Sequence, residues 1–190
     1  MLLESLKYIA NDLDRFLKMR YDSQESRVVL GNIVDQDNSV PEGNRNKIIL
    51  TLISLEQESH RQRAVNYIDT QEGKVRTQPA LSFNLDIMFS ALFNQYEEAL
   101  KFLSDTIYFF QAKPVFNKEN SPGLSPLFEL LTLEVTKLTS SETYNLWASL
   151  GTKYIPSIPF KLRLLTYQSD AVEEIVSGMQ GMGVEVPKAT

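Results

Sequence analysis

Apolar and polar residues alternate in the segment Leu81-Ser82-Phe83-Asn84-Leu85-Asp86-Ile87-Met88-Phe89. Alternation with a period of two predicts a β-strand with one apolar and one polar face. An earlier stretch, Lys47-Ile48-Ile49-Leu50-Thr51-Leu52-Ile53-Ser54-Leu55, is rich in β-branched residues and almost continuously apolar. That composition predicts a strand in the centre of a sheet. We therefore expect the fold to be organised around a β-sheet.

Three helices are predicted around these strands. Residues 2–19 repeat apolar side chains at spacings of three and four, which is typical of an amphipathic helix. A second helix is predicted over 94–112, with Asn94 as its N-cap and its end before the next proline. The third begins at the capping box Thr139-Ser140-Ser141-Glu142 and stops at Gly151, because glycine favours the end of a helix.

Further strands are predicted at 27–34, 131–136 and 160–166, where apolar residues again dominate or alternate. Residues 56–80 are polar and form a long excursion, for which an exposed hairpin is one interpretation. The predicted order of elements is α-β-β-β-α-β-α-β. That order favours an α+β fold, with a mixed or mostly antiparallel sheet of about four to six strands and helices packed on it.

The length of 190 residues suits a single domain. We predict one domain over 1–170 and a flexible C-terminal tail over 171–190, where glycines recur. The net charge of −5 disfavours a nucleic-acid partner held through its phosphates. No apolar run reaches the roughly 18–20 residues that span a bilayer. Glu4 places a charge where a signal peptide has a continuous apolar stretch, so synthesis in the cytoplasm is expected.

The residue types that usually carry catalysis are scarce. Cysteine is absent, and His60 is the single histidine, in a charged segment typical of a solvated surface. Asp35-Gln36-Asp37-Asn38-Ser39 opens like a calcium loop but lacks the glycine and the bidentate glutamate that such loops need later. Glycine-rich phosphate loops are also absent. The sequence therefore predicts no catalytic residues, no metal site, no cofactor and no enzymatic activity.

The predicted helix over 94–112 is apolar on two sides. One line of residues has the spacing of a core stripe: Tyr96, Ala99, Leu100, Leu103, Ile107 and Phe110. Phe102 and Phe109 lie on a second line, about 120–140° away at 100° per residue. A helix of this kind is either buried on both sides or covers a partner. Two candidates could cover the second line: the excursion over 56–80 and a neighbouring subunit.

Several segments together resemble one known family. The resemblance covers about Leu2 to Ser169 and rests on the order and spacing of these segments: Val29-Leu30-Gly31-Asn32-Ile33, Asn46-Lys47-Ile48-Ile49-Leu50, Ser90–Leu103, Phe109-Phe110-Gln111, Pro114-Val115-Phe116, Asn145-Leu146-Trp147 and Leu150–Ser157. The chain resembles the cap family of phage-tail-like contractile injection systems, whose members terminate the inner tube and the contractile sheath.

The resemblance implies a non-enzymatic structural cap with a fold like that of phage tail terminators. It implies a ring of copies of the chain, most simply a hexamer, that contacts the tube protein and the sheath protein. Neither nucleic acid nor a membrane is an expected partner, and no cofactor is implied. Such a protein would assemble in the cytoplasm and then form part of the particle, which can be released extracellularly.

The candidate interface residues are Phe102, Phe109, Phe116 and Tyr154. Trp147 is interpreted as a core anchor, and Phe116 as an anchor of its loop unless it is exposed. Two other functions remain open. One is a monomeric adaptor that docks cargo or baseplate components to such a particle. The other is a hydrolase that relies on carboxylates alone, with Asp35 and Asp37 as its candidates.

Overall fold

The computed structural model describes residues 2–58, 66–70, 73–77, 81–125, 128, 130–167 and 172–176. The chain divides into two compact units. The larger consists of Met1–Glu58 with Ser82–Thr166, and the smaller of Ser59–Leu81 with Tyr167–Thr190. The sequence predicts one domain over 1–170, so the structure differs by giving the excursion and the chain end a unit of their own.

Three α-helices lie within the larger unit, close to the predicted positions. They are α1 (Leu2–Tyr21), α2 (Tyr96–Ala112) and α3 (Ser140–Ser149), and a short 3₁₀-helix spans Glu42–Asn44. The predicted N-cap of α2 is wrong, because Gln95 occupies that position and its side chain makes no capping bond. Asn94 instead donates its backbone N–H to Oδ1 of Asn46, at 3.0 Å.

The capping box of α3 is confirmed. The backbone N–H of Glu142 donates to Oγ1 of Thr139 at 3.3 Å, and the backbone N–H of Thr139 donates to Oε2 of Glu142 at 2.8 Å. Gly151 follows the helix with φ of +67°, a left-handed conformation that glycine adopts without steric cost. Local sequence therefore sets both ends of α3.

Nine strands occur in the described residues, and six of them form one sheet. The strands are β1 (Val28–Leu30), β2 (Lys47–Gln57), β3 (Asn66–Thr70), β4 (Gly73–Thr77), β5 (Leu81–Leu92), β6 (Val115–Asn117), β7 (Leu130–Val135), β8 (Ser157–Tyr167) and β9 (Val172–Val176). The six-stranded sheet has the order β1-β2-β5-β8-β7-β6. β1 and β2 pair in parallel, whereas β2–β5, β6–β7 and β7–β8 are antiparallel. The predicted α+β class with a mixed sheet is confirmed.

The six-stranded sheet carries helices on both faces. Met88 and Phe89 are neighbours in β5 and therefore point to opposite faces. The ring of Phe89 packs against Phe110 of α2, with centroids 4.9 Å apart. Met88 joins a buried cluster with Ile49 of β2 and Trp147 of α3. The predicted polar face of β5 is therefore covered, and Trp147 is a core residue, as the sequence predicts.

The smaller unit contains a separate three-stranded sheet with the order β3-β4-β9. β3 and β4 form an antiparallel hairpin, so the hairpin interpretation of the 56–80 excursion is confirmed for these strands. β9 pairs with β4 and lies in the region predicted as a flexible tail. The remaining tail residues, 171 and 177–190, lie outside the described residues, as does His60.

Candidate assembly interface

Helix α2 has one buried face and one exposed apolar row. Ala99, Phe102 and Phe110 are buried. Tyr96, Leu100 and Ile107 are 66%, 42% and 37% exposed, respectively. The sequence assigns these three to the core stripe, and that assignment is wrong. The helix is instead rotated so that the line containing Phe102 faces the body of the larger unit. We call Tyr96, Leu100 and Ile107 the α2 row.

Phe102 belongs to the interior of the larger unit. It is 7% exposed, and its ring packs between those of Phe93 and Tyr21, with both centroids 4.7 Å away. These two rings come from the end of α1 and from the residue that follows β5. The expectation that Phe102 lies at a contact between subunits is therefore corrected, because α1 and Phe93 already cover it.

Two other predicted interface residues also pack within the subunit. Phe116 is fully buried, with its ring packed edge-on against Tyr8 at 6.3 Å between centroids. It anchors its loop and cannot serve as an exposed interface anchor. Phe109 is half-buried, and its ring lies 5.0 Å from that of Phe16 on α1. Phe109 therefore keeps some surface for a partner.

Two buried carboxylates hold α1 against α2 and so determine which side of α2 is exposed. The carboxylate of Asp105 in α2 accepts hydrogen bonds from Nε of Arg20, at 2.9 Å, and from the hydroxyl of Tyr21. Burial, together with the hydrogen bond to Asp105, raises the pKa of Tyr21 to about 12. Asp12 of α1 accepts from Nζ of Lys113 at 2.8 Å. Asp105 lies on the same side of α2 as Phe102, and because aspartate is usually exposed, the sequence gives no signal that this side is buried.

Tyr154 is the most exposed of the four predicted interface residues. Its side chain is 62% exposed, and its ring packs edge-on against Trp147 at 5.4 Å. The two rings border a cavity of about 170 Å³, whose other lining residues are Met88, Thr136, Leu138, Thr143, Leu146, Ser157 and Pro159. Tyr154 is thus an aromatic group held in place by the core and open to a partner.

Of the two carboxylates considered for catalysis, that of Asp37 accepts a hydrogen bond within its own loop. Oδ1 of Asp37 accepts from the backbone N–H of Ser39 at 2.9 Å. Hydrogen bonds from Ser39 lower the pKa of the Asp37 carboxyl. In the part of the chain that the structure describes, no three acidic or histidine side chains cluster as metal ligands would. None of the described helices is long and apolar enough to cross a membrane.

Two solved structures share this fold. The first is a cryo-EM structure of the sheath/tube terminator of the PVC extracellular contractile injection system in its extended state. It matches with a TM-score of 0.64 and 12% identity over 100% of this chain and 64% of that chain. The second is the tube-terminating cap of the anti-feeding prophage, with a TM-score of 0.58 and 12% identity over 90% of this chain and 58% of that chain.

This chain therefore spans less than two thirds of each of those two proteins. Among curated proteins, none matches the sequence significantly. The family described as the Pvc16 N-terminal domain matches residues 8–177. Because that match spans most of the sequence, the chain belongs to the Pvc16 N-terminal domain family.

Proposed function

We propose that this protein is a non-enzymatic structural cap of a contractile injection system. In this role it terminates the inner tube and anchors the last layer of the sheath. The observation that carries the proposal is the shared fold of the chain and two proteins described as a sheath/tube terminator and a tube-terminating cap. Membership of the Pvc16 N-terminal domain family supports the same role.

The cap acts as a closed ring of identical subunits, which we take to be a hexamer. A ring needs two different patches on each subunit, because each copy contacts its neighbours head to tail. The exposed apolar side chains of the α2 row are candidates for one patch, since interfaces concentrate on such groups. Phe109 and Tyr154 are further candidates, because both combine a fixed ring with accessible surface.

The partners of the ring are the tube protein and the sheath protein, with no role for nucleic acid or a membrane. Assembly takes place in the cytoplasm, and the cap then stays with the particle when it is released. A terminator needs no turnover chemistry. Its effect depends on binding the end of a growing polymer while presenting no surface that templates another layer.

The test is deletion of the gene in cells that produce the particle, followed by electron microscopy. A self-templating tube without a terminator has no stop, so we expect tubes of heterogeneous length or particles with a detached sheath. Expression of the wild-type chain from a plasmid should restore uniform particles. Uniform, fully sheathed particles in the deletion strain would overturn the proposal.

Light scattering of the purified protein separates the cap from a monomeric adaptor. A cap should give the mass of a closed ring, or form one when tube or sheath protein is added. An adaptor should keep the mass of one chain at every concentration and in the presence of both proteins. The second result would favour docking of cargo or baseplate components.

A further inference from the structure

The sheet of the larger unit ends at β6, and the pairing of β6 determines which of its backbone groups face outward. The carbonyl of Pro114 accepts from the backbone N–H of Leu133 at 2.8 Å, beside the β6–β7 pair. Hydrogen-bonded and non-hydrogen-bonded positions alternate along an antiparallel pair. Phe116 therefore bonds to β7, whereas Val115 and Asn117 direct their backbone N–H and C=O groups toward the open side.

One side chain occupies two of these outward-facing groups. Nδ2 of Asn120 donates to the carbonyl of Val115 at 2.8 Å, and Oδ1 of Asn120 accepts from the backbone N–H of Asn117 at 3.0 Å. A carbonyl and an N–H on the same edge are the groups that an added strand would bind. The primary amide of Asn120 thus takes the place of a neighbouring strand.

The loop after β6 is built to hold this amide. Oδ1 of Asn117 accepts from the backbone N–H groups of Glu119 at 3.0 Å and of Asn120 at 2.9 Å. The hydroxyl of Ser121, which is buried, donates to Oδ1 of Asn120 at 2.7 Å. Asn117 and Asn120 therefore bond reciprocally, and Ser121 orients the amide so that its nitrogen faces Val115.

The opposite end of the sheet is closed in a similar way. Arg27 and Gly31, which flank β1, bond to β2 through the carbonyl of Arg27 and the backbone N–H of Gly31. Because successive residues of a strand direct their backbone groups to opposite sides, the N–H and C=O of Val28 point away from β2. The backbone N–H of Val28 donates to Oδ1 of Asp14 at 3.1 Å. Its carbonyl accepts from the hydroxyl of Ser26 at 3.2 Å. Side chains thus occupy outward-facing backbone groups on both terminal strands of this sheet.

We propose that Asn120 is an edge plug, which prevents β6 from pairing with a strand of a second copy of this chain. Unpaired edges recruit other strands and lead to uncontrolled association. An assembly protein meets its own copies at high local concentration, so an open edge would compete with its intended contacts. The inference concerns an association that the fold prevents, and it holds whether or not the chain is a cap.

The test compares Asn120→Ala with the wild type and with the control Lys118→Ala, which replaces an exposed residue of the same loop. Sedimentation velocity over a concentration series should give Asn120→Ala a mass above the wild-type assembly state, increasing with concentration. Lys118→Ala should match the wild type. In a dilute solution of Asn120→Ala, the backbone N–H of Asn117 should exchange its hydrogen with solvent about tenfold faster than in the wild type. Association at higher concentration should slow this exchange again.

A second variant tests whether the new association uses the edge. Val115→Lys in the Asn120→Ala background places a charge on the open strand, which opposes strand addition. The double variant should return to the wild-type mass. Three outcomes would overturn the proposal: Asn120→Ala keeps the wild-type mass at all concentrations, Val115→Lys leaves the association unchanged, or Asn120→Ala loses its folded state by circular dichroism. The last would make Asn120 a folding residue.

Discussion

Replacing Phe102 with alanine tests whether its side of α2 packs within the subunit or contacts a neighbouring subunit. The ring of Phe102 is enclosed by Phe93 and Tyr21, and the guanidinium of Arg27 lies 5.8 Å from its centroid. If this enclosure exists within one subunit, the substitution Phe102→Ala must reduce the stability of the subunit itself. If the ring instead belongs to a contact between subunits, the substitution must reduce assembly and leave the subunit stable.

The expected loss follows from the burial of the ring. Truncation of a buried phenylalanine to alanine typically lowers the free energy of unfolding by about 3–5 kcal/mol. Each aromatic contact that is lost contributes about 0.5–1.5 kcal/mol beyond the buried area, which favours the upper part of that range. For a protein of this size, each kcal/mol corresponds to about 2–4 °C, so the melting temperature should fall by roughly 6–20 °C.

The assay is urea unfolding followed by circular dichroism, at a concentration low enough to separate the subunits. Tyr96→Ala is the matched control, because Tyr96 lies on the same helix and is mostly exposed. It should change the free energy of unfolding by no more than about 0.5 kcal/mol. A loss below about 1 kcal/mol for Phe102→Ala, combined with impaired assembly, would refute the intramolecular role of Phe102.

Further substitutions test the α2 row, the cap of α3 and the hydroxyl of Tyr21. Leu100→Ser with Ile107→Ser should weaken ring association by about 2 kcal/mol or more in light scattering, with an unchanged melting temperature, whereas Leu3→Ser on the exposed side of α1 should leave both unchanged. Thr139→Ala should lower the free energy of unfolding by about 1 kcal/mol in urea, because α3 loses its cap. Tyr21 binds its proton more tightly in the folded state, so stability should fall between pH 10 and about 12, and Tyr21→Phe should lack this loss.

Elements whose signals are local can be predicted from the sequence. The periodicity of residues 2–19 predicts α1, and the spacing of Thr139 and Glu142 predicts the start of α3, because both depend on neighbours within one or two turns. Alternation predicts β5, and β-branched composition predicts β2. The family resemblance also follows from the sequence, and the family is confirmed.

Other elements depend on pairing between distant segments. β6 has three residues and becomes a strand because it pairs with β7. β9 lies in a segment predicted as a tail, and it pairs with β4, almost a hundred residues earlier in the sequence. Neither strand has a pattern long enough to establish a period. Such strands become predictable only when their partners are known.

The orientation of α2 was decided by the tertiary structure alone. Both lines of the helix are apolar, so its periodicity is equally compatible with burying Leu100 or Phe102. The choice depends on groups from another helix, because Arg20 and Tyr21 of α1 bind Asp105 on the side of Phe102. A buried carboxylate needs such partners, and they can reach it in only one rotation of α2. The sequence therefore predicts a helix with two apolar sides, and packing against α1 leaves the α2 row exposed.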